Sequence, residues 1–223
     1  MFEVILDTET TGLSVNENHR IVEIGCIELD NLIPTKKIFH TYINPERSVS
    51  DQAYNVHGYS NEFLSNKKLF SQIADDFLEF IKNKKIIIHN APFDLSFLNI
   101  ELKKINKKNI NNDMVVDTLE IARKKYPGSQ NSLDALCKRF NIDNSKRLKH
   151  TALVDCELLS KVYINLIDQR EPTLNLYSQN EKKENLDLNN NNLYYKKVIK
   201  PSLEEIELHK KFLKKNLKKN FFN

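Results

Sequence analysis

The sequence predicts an α/β fold in which a mixed five-stranded sheet is flanked by helices, and three features carry this prediction. Continuous apolar runs at residues 4–6, 86–88 and 114–116 are typical of buried strands. The segments between the later runs repeat apolar residues at helical spacing, which favours parallel strands joined by helices. Short connections within the first 43 residues instead favour an antiparallel meander of three strands.

The order of the predicted elements follows from these patterns. After the strand at 4–6, strands are predicted at 20–29 and 36–43, then a loop or broken helix at 45–58 and a helix at 70–81. Next come a strand at 84–89, a helix at 93–102, a short strand at 114–116, and helices near 119–121, 132–140 and 151–167. In such a sheet, ligands bind beyond the carboxyl ends of the parallel strands.

Composition limits the classes of protein to consider. Hydrophobic residues make up 40% of the 223 positions, which suits one domain with a buried core and some additional chain. No apolar run approaches the roughly eighteen residues of a membrane span, and the N-terminus lacks the features of a signal peptide. The cysteines are scattered and odd in number, so we expect reduced core residues and a cytoplasmic protein. They are Cys26, Cys137 and Cys156.

The formal net charge of +4 is unevenly distributed. Residues 196–219 contain nine lysines and three glutamates, so the rest of the chain carries a slight negative excess. A nucleic acid would therefore be bound locally, through metal ions and backbone donors, rather than by a broad cationic surface.

The character of the sequence changes after residue 168, which we take as the end of a domain spanning residues 1–168. Residues 169–200 are polar and largely rich in asparagine, and such a segment buries too little apolar surface to fold, so we expect a flexible linker. Ser202 and Glu205 have the spacing of a capping box at the start of a lysine-rich helix over 201–219. Its rough apolar stripe suggests a partner, although a solvated tail is the alternative.

Two carboxylates follow the first apolar run. Asp7 and Glu9 are two residues apart, and side chains alternate along a strand, so both point to the same side. Like charges this close repel each other unless a cation lies between them, which indicates a divalent metal site. The alternative is that both acids merely cap a turn before Gly12.

Two further carboxylates and a histidine are expected at the same place. Asp94 opens the helix after a buried strand and Asp155 lies early in the last helix, although either alone could simply stabilise a helix N-terminus. His150 is five residues before Asp155, about 140° from the same helix face, so we place it in the loop before the helix, with Thr151 as the cap. There, near its ordinary pKa of about 6.5, it suits a general base. A surface histidine beside Lys149 is the alternative.

Oxygen ligands select hard cations, Mg²⁺ or Mn²⁺, over zinc. Two such ions, roughly 3.5 to 4 Å apart, can hold the attacking and the leaving oxygen of a phosphodiester. We therefore expect hydrolysis in which water gives its proton to His150 and a nucleoside 5′-monophosphate is released.

These residues resemble a known family. In order and spacing, three segments are similar to the motifs of the DEDDh 3′→5′ exonucleases, whose fold is ribonuclease H-like: Asp7–Gly12, His89–Asp94 and His150–Asp155. The resemblance covers about residues 2–167. More narrowly, three other segments resemble the proofreading epsilon subunits of bacterial DNA polymerase III: Val56–Gly58, Ala122–Gly128 and Asn131–Cys137. By this resemblance the metal ligands are Asp7, Glu9, Asp94 and Asp155, and the general base is His150.

The resemblance also implies contacts with the 3′ end of a nucleic acid strand. Thr10 and Thr11 would approach the terminal nucleotide where Gly12 lets the backbone come close, and Leu13 would wedge against the last base. The path of the nucleic acid strand would be lined by Gln52, His57 and Phe93. Gln52 stands where the family often has an acid. Leu13 and Phe93 could instead belong to the core, and His57 could be a loop histidine with a satisfied hydrogen bond.

The resemblance extends to the tail. Residues 171–176, Glu-Pro-Thr-Leu-Asn-Leu, are similar to a peptide that binds the sliding clamp, with Glu171 where glutamine is commoner. The helix over 201–219 resembles the segment that docks on the polymerase α subunit. A flexible tether between them would keep the nuclease near the primer end at high effective concentration.

The expected function is proofreading, the removal of mispaired nucleotides from the 3′ end of new DNA. A mismatched end frays more readily into a site shaped for single strands, so selectivity needs no base-specific contact. One alternative is a free-standing nuclease that trims RNA or single strands and does not need the tail. A second is a non-catalytic scaffold of the replisome, against which the complete set of four acids and His150 argues.

Overall fold

The computed structural model describes residues 2–145, 147, 149–167 and 201–216. Five strands form one sheet: β1 (Phe2–Thr10), β2 (Ile21–Asp30), β3 (Ile33–Tyr42), β4 (Lys85–Ile88) and β5 (Val115–Asp117). The helices of the same unit are α1 (Asp51–His57), α2 (Asn61–Ser65), α3 (Phe70–Ile81), α4 (Ala91–Lys104), α5 (Thr118–Lys125), α6 (Leu133–Arg139) and α7 (Ala152–Leu166). A separate unit contains α8 (Leu203–Asn216).

The central strand of the sheet is β1, and the strand order is β3-β2-β1-β4-β5. β1 pairs with β2 and β2 pairs with β3 in antiparallel register, which confirms the predicted meander. β4 is parallel to both β1 and β5, which confirms the predicted mixed sheet. Helices that connect parallel strands, such as the one between β4 and β5, cover the faces of the sheet.

Two apolar layers pack on opposite faces of the sheet because side chains alternate along β1. Val4 and Leu6 join the layer that includes α3 and α4, whereas Ile5 joins the layer that includes α5, α6 and α7. Asp7 and Glu9 continue the face of Ile5, so the strand directs them toward the side on which α7 packs.

Some element bounds differ from the prediction. β1 continues past the apolar run to Thr10, so Asp7 and Glu9 lie at its end, where their alternation along the strand was predicted. β3 begins at Ile33 instead of residue 36. The helix α2 was not predicted, because five residues are too short for a periodic pattern; Ser60 caps it by accepting a hydrogen bond from Phe63 N at 3.1 Å.

The N-terminus of α7 approaches β2 more closely than a side chain would permit. A Cβ atom on Gly25 would lie 2.6 Å from the carbonyl carbon of Ala152, so only glycine fits at this position without a backbone shift. The Glu23 carboxylate, buried on the same strand, accepts a hydrogen bond from Ala152 N at 2.9 Å. These two contacts fix the first turn of α7, which carries Asp155, on the sheet.

α8 begins with the predicted capping box. Ser202 N donates a hydrogen bond to Glu205 Oε2 at 2.8 Å, and Glu205 N donates to Ser202 Oγ at 3.2 Å. The end of this predicted helix, residues 217–219, and the predicted linker at 169–200 with its clamp-binding peptide lie outside the described residues.

The structure also bears on the expectations from composition. The three cysteines are buried and have free thiols, as predicted. In the described part of the chain, no helix is both long and apolar enough to cross a bilayer.

Candidate active site

All four predicted metal ligands and the predicted base line one cleft of about 780 Å³. They are Asp7, Glu9, Asp94, His150 and Asp155. The chain supplies them from both sides of the sheet, since β1 carries two, α4 carries one, and the N-terminal region of α7 carries the others. The structure thus brings together side chains that are up to 148 residues apart in sequence.

The two acids of β1 lie in an environment that disfavours negative charge. Burial raises the pKa of Asp7 well above its ordinary value, and the carboxylates of Asp94, Glu9 and Asp155 raise it further. Burial, followed by the charges of Asp155 and Glu23, raises the pKa of Glu9 to about 8. A bound cation would relieve this repulsion.

Asp94 reaches the same cleft from the first turn of α4 and is 3% exposed. Its Oδ1 atom accepts a hydrogen bond of 2.7 Å from Thr8 Oγ1, which ties the helix to β1. Burial raises the pKa of Asp94 to about 7, although the hydrogen bond from Thr8 acts in the opposite direction. Three of the four acids therefore have raised pKa values, and burial away from water is the first cause in each.

His150 lies in the loop before α7, as predicted, and Thr151 caps the helix by accepting a hydrogen bond from Val154 N at 3.4 Å. The Nδ1 atom of His150 is 3.5 Å from Asp155 Oδ2. Burial and then the positive charge of Arg147 lower the pKa of His150 below its ordinary value. This differs from the expectation of an unperturbed histidine, and it favours the neutral ring that a proton acceptor needs.

One side chain of the site, Arg147, was not predicted from the sequence. Its Nε and Nη2 atoms donate to the two carboxylate oxygens of Asp155 at 2.6 and 2.7 Å. Nη2 also donates to His150 Nδ1 at 2.8 Å, and Nη1 donates to Asp134 Oδ2 at 2.6 Å. The sequence offered little indication of this role, because Asp155 and Asp134 are 8 and 13 residues from Arg147 and lie in different helices.

The donor set fits a hard divalent cation. Ligand atoms of Glu9, His150 and Asp155 lie within 4.8 Å of one another. The remaining acids, Asp7 and Asp94, line the same cleft and supply only oxygen atoms, which Mg²⁺ and Mn²⁺ prefer. A buried carboxylate such as Asp7, whose pKa the neighbouring carboxylates raise further, gains most from a cation beside it.

A second pocket of about 320 Å³ adjoins the cleft, and the two share Thr8, Glu9 and Phe93. Most of the residues predicted to contact the nucleic acid strand line this second pocket: Thr10, Leu13, Gln52, His57 and Phe93. Its surface is mainly apolar, as a pocket for the flat face of a base would be. The arrangement can therefore accept a nucleotide beside the acids.

The structure bears on the alternatives for two of these residues. Leu13 is 78% exposed, so it does not belong to the core and its side chain is accessible at the pocket. His57 ends α1 rather than lying in a loop, and its Nδ1 atom accepts a hydrogen bond from Tyr59 N at 3.0 Å. Its Nε2 atom is buried beside the backbone of Thr10, so the ring forms part of the pocket wall.

Of the two residues that follow Thr10, Gly12 lines this pocket and Thr11 does not. The Thr11 side chain is fully buried, and its hydroxyl group bonds to His19 Nδ1 at 2.9 Å and accepts from Arg20 N at 3.0 Å. A Cβ atom on Gly12 would lie 2.3 Å from the His19 ring. Packing against His19 therefore accounts for Thr11 without a ligand, whereas the close approach of the backbone at Gly12 to a nucleotide stays a prediction.

Comparisons with known proteins agree with this geometry. The family model RNase T, described as Exonuclease, matches residues 4–163. The DNA polymerase III subunit epsilon of Rickettsia felis is 50% identical over 222 residues, which cover 97% of each chain. The protein of the same name from Buchnera aphidicola is 44% identical and covers 94% of this chain and 92% of its own.

Among solved structures, the nuclease domain of 3′hExo, a DEDDh family member bound to rAMP, matches with a TM-score of 0.66 and 18% identity. The match covers 76% of this chain and 92% of that one. The shared architecture confirms the predicted ribonuclease H-like fold.

Proposed function

The chain belongs to the exonuclease family, and we propose that it is a 3′→5′ exonuclease that proofreads DNA within DNA polymerase III. Its relatives at 44 to 50% identity, matched over nearly the whole chain, are epsilon subunits of that polymerase. The observation that carries the proposal is the convergence of four carboxylates and a histidine in one cleft beside an apolar pocket.

The activity depends on divalent metal, as family membership and the acid cluster imply. We propose that Asp7, Glu9, Asp94 and Asp155 hold two ions, Mg²⁺ or Mn²⁺. When bound, such a pair activates the attacking water and stabilises the leaving 3′-oxygen. The burial of these acids supports the proposal, because a desolvated site strengthens each interaction with a cation.

The chain's own residues supply the rest of the reaction. His150 accepts the proton of the attacking water, and its lowered pKa keeps the ring neutral for this task. The terminal nucleotide lies in the adjoining pocket, where His57 forms part of the wall and Leu13 contacts the last base. Cleavage of the bond to the leaving 3′-oxygen then releases a nucleoside 5′-monophosphate.

The substrate is the single-stranded or frayed 3′ end of DNA. A mainly apolar pocket favours an unstacked base of any identity, so a mispaired end reaches the acids more often than a paired one. Selectivity then follows from fraying, without base-specific contacts.

Two partners complete the proposal. Residues 171–176 bind the sliding clamp, and the helix over 201–219 docks on the polymerase α subunit. The exposed apolar side chains of α8 support the second contact: Leu203, Leu208 and Phe212 are between 60% and 83% exposed. Such a surface on a charged helix is typical of a segment that binds a partner.

The first experiment tests the metal ligands. Asp7→Asn should reduce the Mg²⁺-dependent release of mononucleotides from 3′-labelled single-stranded DNA at least about 100-fold, because it removes an oxygen ligand of the cation. The variant should remain folded, since Asp7 is repelled by its neighbours and removing its charge relieves that repulsion.

The matched control is Asp76→Asn, which changes an exposed acid of α3 in the same way. Its activity should equal that of the unaltered protein. A folded Asp7→Asn variant with unchanged activity would overturn the assignment of the metal ligands.

A further inference from the structure

We propose that Arg147 is a positioning residue that competes with the divalent cation for Asp155, so that cation binding requires the guanidinium group to move away. The inference rests on the proposed metal site. It assigns a role to a side chain that is neither a metal ligand nor the general base.

The first observation is that Arg147 uses both oxygens of Asp155. Its Nε and Nη2 atoms form a two-pronged ion pair at 2.6 and 2.7 Å, the geometry in which an arginine binds a carboxylate most strongly. The two side chains are 8% and 5% exposed. Burial of the pair means that little water screens the interaction.

A cation and the guanidinium group cannot both remain in these positions. A dication bound to Asp155 would lie within a few ångströms of the buried positive charge, and like charges that close repel strongly in a desolvated site. The bound oxygens would also have to give up their hydrogen bonds to Arg147. Entry of the cation and departure of the guanidinium group are therefore one exchange.

The same exchange reaches His150. Arginine can only donate, so the 2.8 Å contact from Nη2 makes His150 Nδ1 an acceptor and leaves the ring proton on Nε2. While Arg147 is in place, the lone pair of Nδ1 is already used. Departure of the guanidinium group frees that lone pair at the moment when Asp155 takes up the cation.

Asp134 provides the outer anchor for this movement. It lies in the first turn of α6, is 54% exposed, and accepts from Arg147 Nη1 at 2.6 Å. Because this contact does not involve Asp155, it can hold the displaced arginine at the rim of the cleft. The aspartate thus keeps Arg147 close enough to return when the cation leaves.

Cation binding to the full chain, measured by calorimetry with Mn²⁺ and without DNA, tests the competition. Arg147→Gln should bind Mn²⁺ about tenfold more tightly, because the cation no longer displaces two charged hydrogen bonds. Without divalent cations the same variant should have a lower Tm than the unaltered protein, since the acids have lost a counter-charge. Arg147→Lys, which keeps the charge but not the two-pronged contact, should have an intermediate affinity.

The matched control is Arg123→Gln, because Arg123 lines the same cleft and carries the same charge. If the effect were only the loss of a nearby positive charge, both glutamine variants would bind Mn²⁺ equally well. The proposal expects a clearly larger gain for Arg147→Gln.

A measurement on the unaltered protein keeps the test decisive if Arg147→Gln does not fold. With ¹⁵N-labelled arginine, the Nε–H signal of Arg147 should be protected from solvent exchange without divalent cations, and saturating Mg²⁺ should shift it and remove that protection. Cation binding with an unchanged Arg147 signal, or a folded Arg147→Gln variant with unchanged or weaker affinity, would overturn this inference alone. Failure of the unaltered protein to bind any cation would overturn the proposed function as well.

Discussion

Glu9 and Asp94 illustrate how single residues in the cleft couple stability to pH. Burial is the first cause of the raised pKa in both, with values of about 8 and about 7 against ordinary values of 4.5 and 3.8. A raised pKa means that the folded chain binds these protons more tightly than the unfolded chain does. The stability that they contribute is therefore fully present only at low pH and is lost as pH rises through about 7 to 8.

With a chelator present, the free energy of unfolding should thus fall by on the order of 2 kcal/mol between about pH 6 and about pH 8. Urea unfolding at several pH values measures this fall in the free energy of unfolding. Saturating Mg²⁺ should abolish the decline, because the cation binds the deprotonated acids. The Glu9→Gln, Asp94→Asn double variant should show a flatter profile; an equally steep profile would contradict the assignment to these two groups.

At this scale, the sequence predicted the residues whose chemistry is visible in short motifs. The four acids and His150 were placed in one site because strand alternation, helix starts and the family resemblance agreed. Arg147 could not be predicted in this way, because a loop arginine has no periodicity and its partners become neighbours only after folding. The contact of Thr11 with the nucleotide is implied by the family resemblance alone, whereas in the structure its side chain packs against His19.

Among the elements, α7 shows how a buried acid outside the cleft supports the site. Glu23 is fully buried and accepts three hydrogen bonds, from Ala152 N at 2.9 Å, Tyr59 Oη at 2.8 Å and His40 Nε2 at 2.7 Å. It therefore joins β2 to β3, to the segment after α1, and to the first turn of the helix that carries Asp155. Loss of this carboxylate would leave three polar groups without their partner.

Glu23→Ala should lower the free energy of unfolding by about 3 kcal/mol, because buried donors would lose a charged acceptor. Activity should fall too, as the first turn of α7 loosens. Chemical unfolding and the nucleotide-release assay measure the two effects. Glu79→Ala, which removes an exposed acid paired with Lys82, should change stability by less than about 0.5 kcal/mol; an equally small change for Glu23→Ala would refute the supporting role.

The elements themselves were largely predictable because their periodicity is strong. The apolar run of β1 and the helical spacing of α3 predicted both elements, and connection length predicted the direction of the strands. The role of Glu23 was not visible, because its position in β2 looks like an ordinary polar residue of a half-buried strand. In the structure β2 is buried on both faces because α7 packs against it, and the sequence of β2 alone does not show this.

For the whole molecule, the division into two units separates the catalytic cleft from the helix that we propose for polymerase binding. The sheet, the cleft and the adjoining pocket all lie within residues 2–167, whereas α8 belongs to the other unit. A chain that ends at residue 168 should therefore keep the hydrolytic site and lose its attachment to the polymerase.

Deletion of residues 169–223 should leave nucleotide release from single-stranded DNA within about twofold of the full chain, because no predicted site residue is removed. Co-purification with the polymerase α subunit should be lost. Deleting only residues 201–223 should abolish α binding while retaining the clamp-binding peptide at 171–176. Retained association of the shorter chain with the α subunit would contradict the proposed docking helix, and lost activity of a folded variant would contradict the domain boundary.

The binding partners of the tail were predicted from the family resemblance more than from periodicity or composition. The capping box of Ser202 and Glu205 indicated where a helix starts, and the structure confirmed it. Composition could not identify what the helix binds, because an apolar stripe on a charged helix fits many surfaces. The α subunit and the clamp therefore stay predictions.

The position of β3 has a consequence for how the protein behaves at high concentration. Within the described sheet β3 is an outer strand, and an outer strand offers unpaired backbone groups to which a second molecule could add a strand. Here Pro34 lacks the N–H group that such an addition needs, and the exposed Lys36 and Lys37 would bring like charges together. These residues therefore protect the β3 edge of the sheet against edge-to-edge association of two molecules.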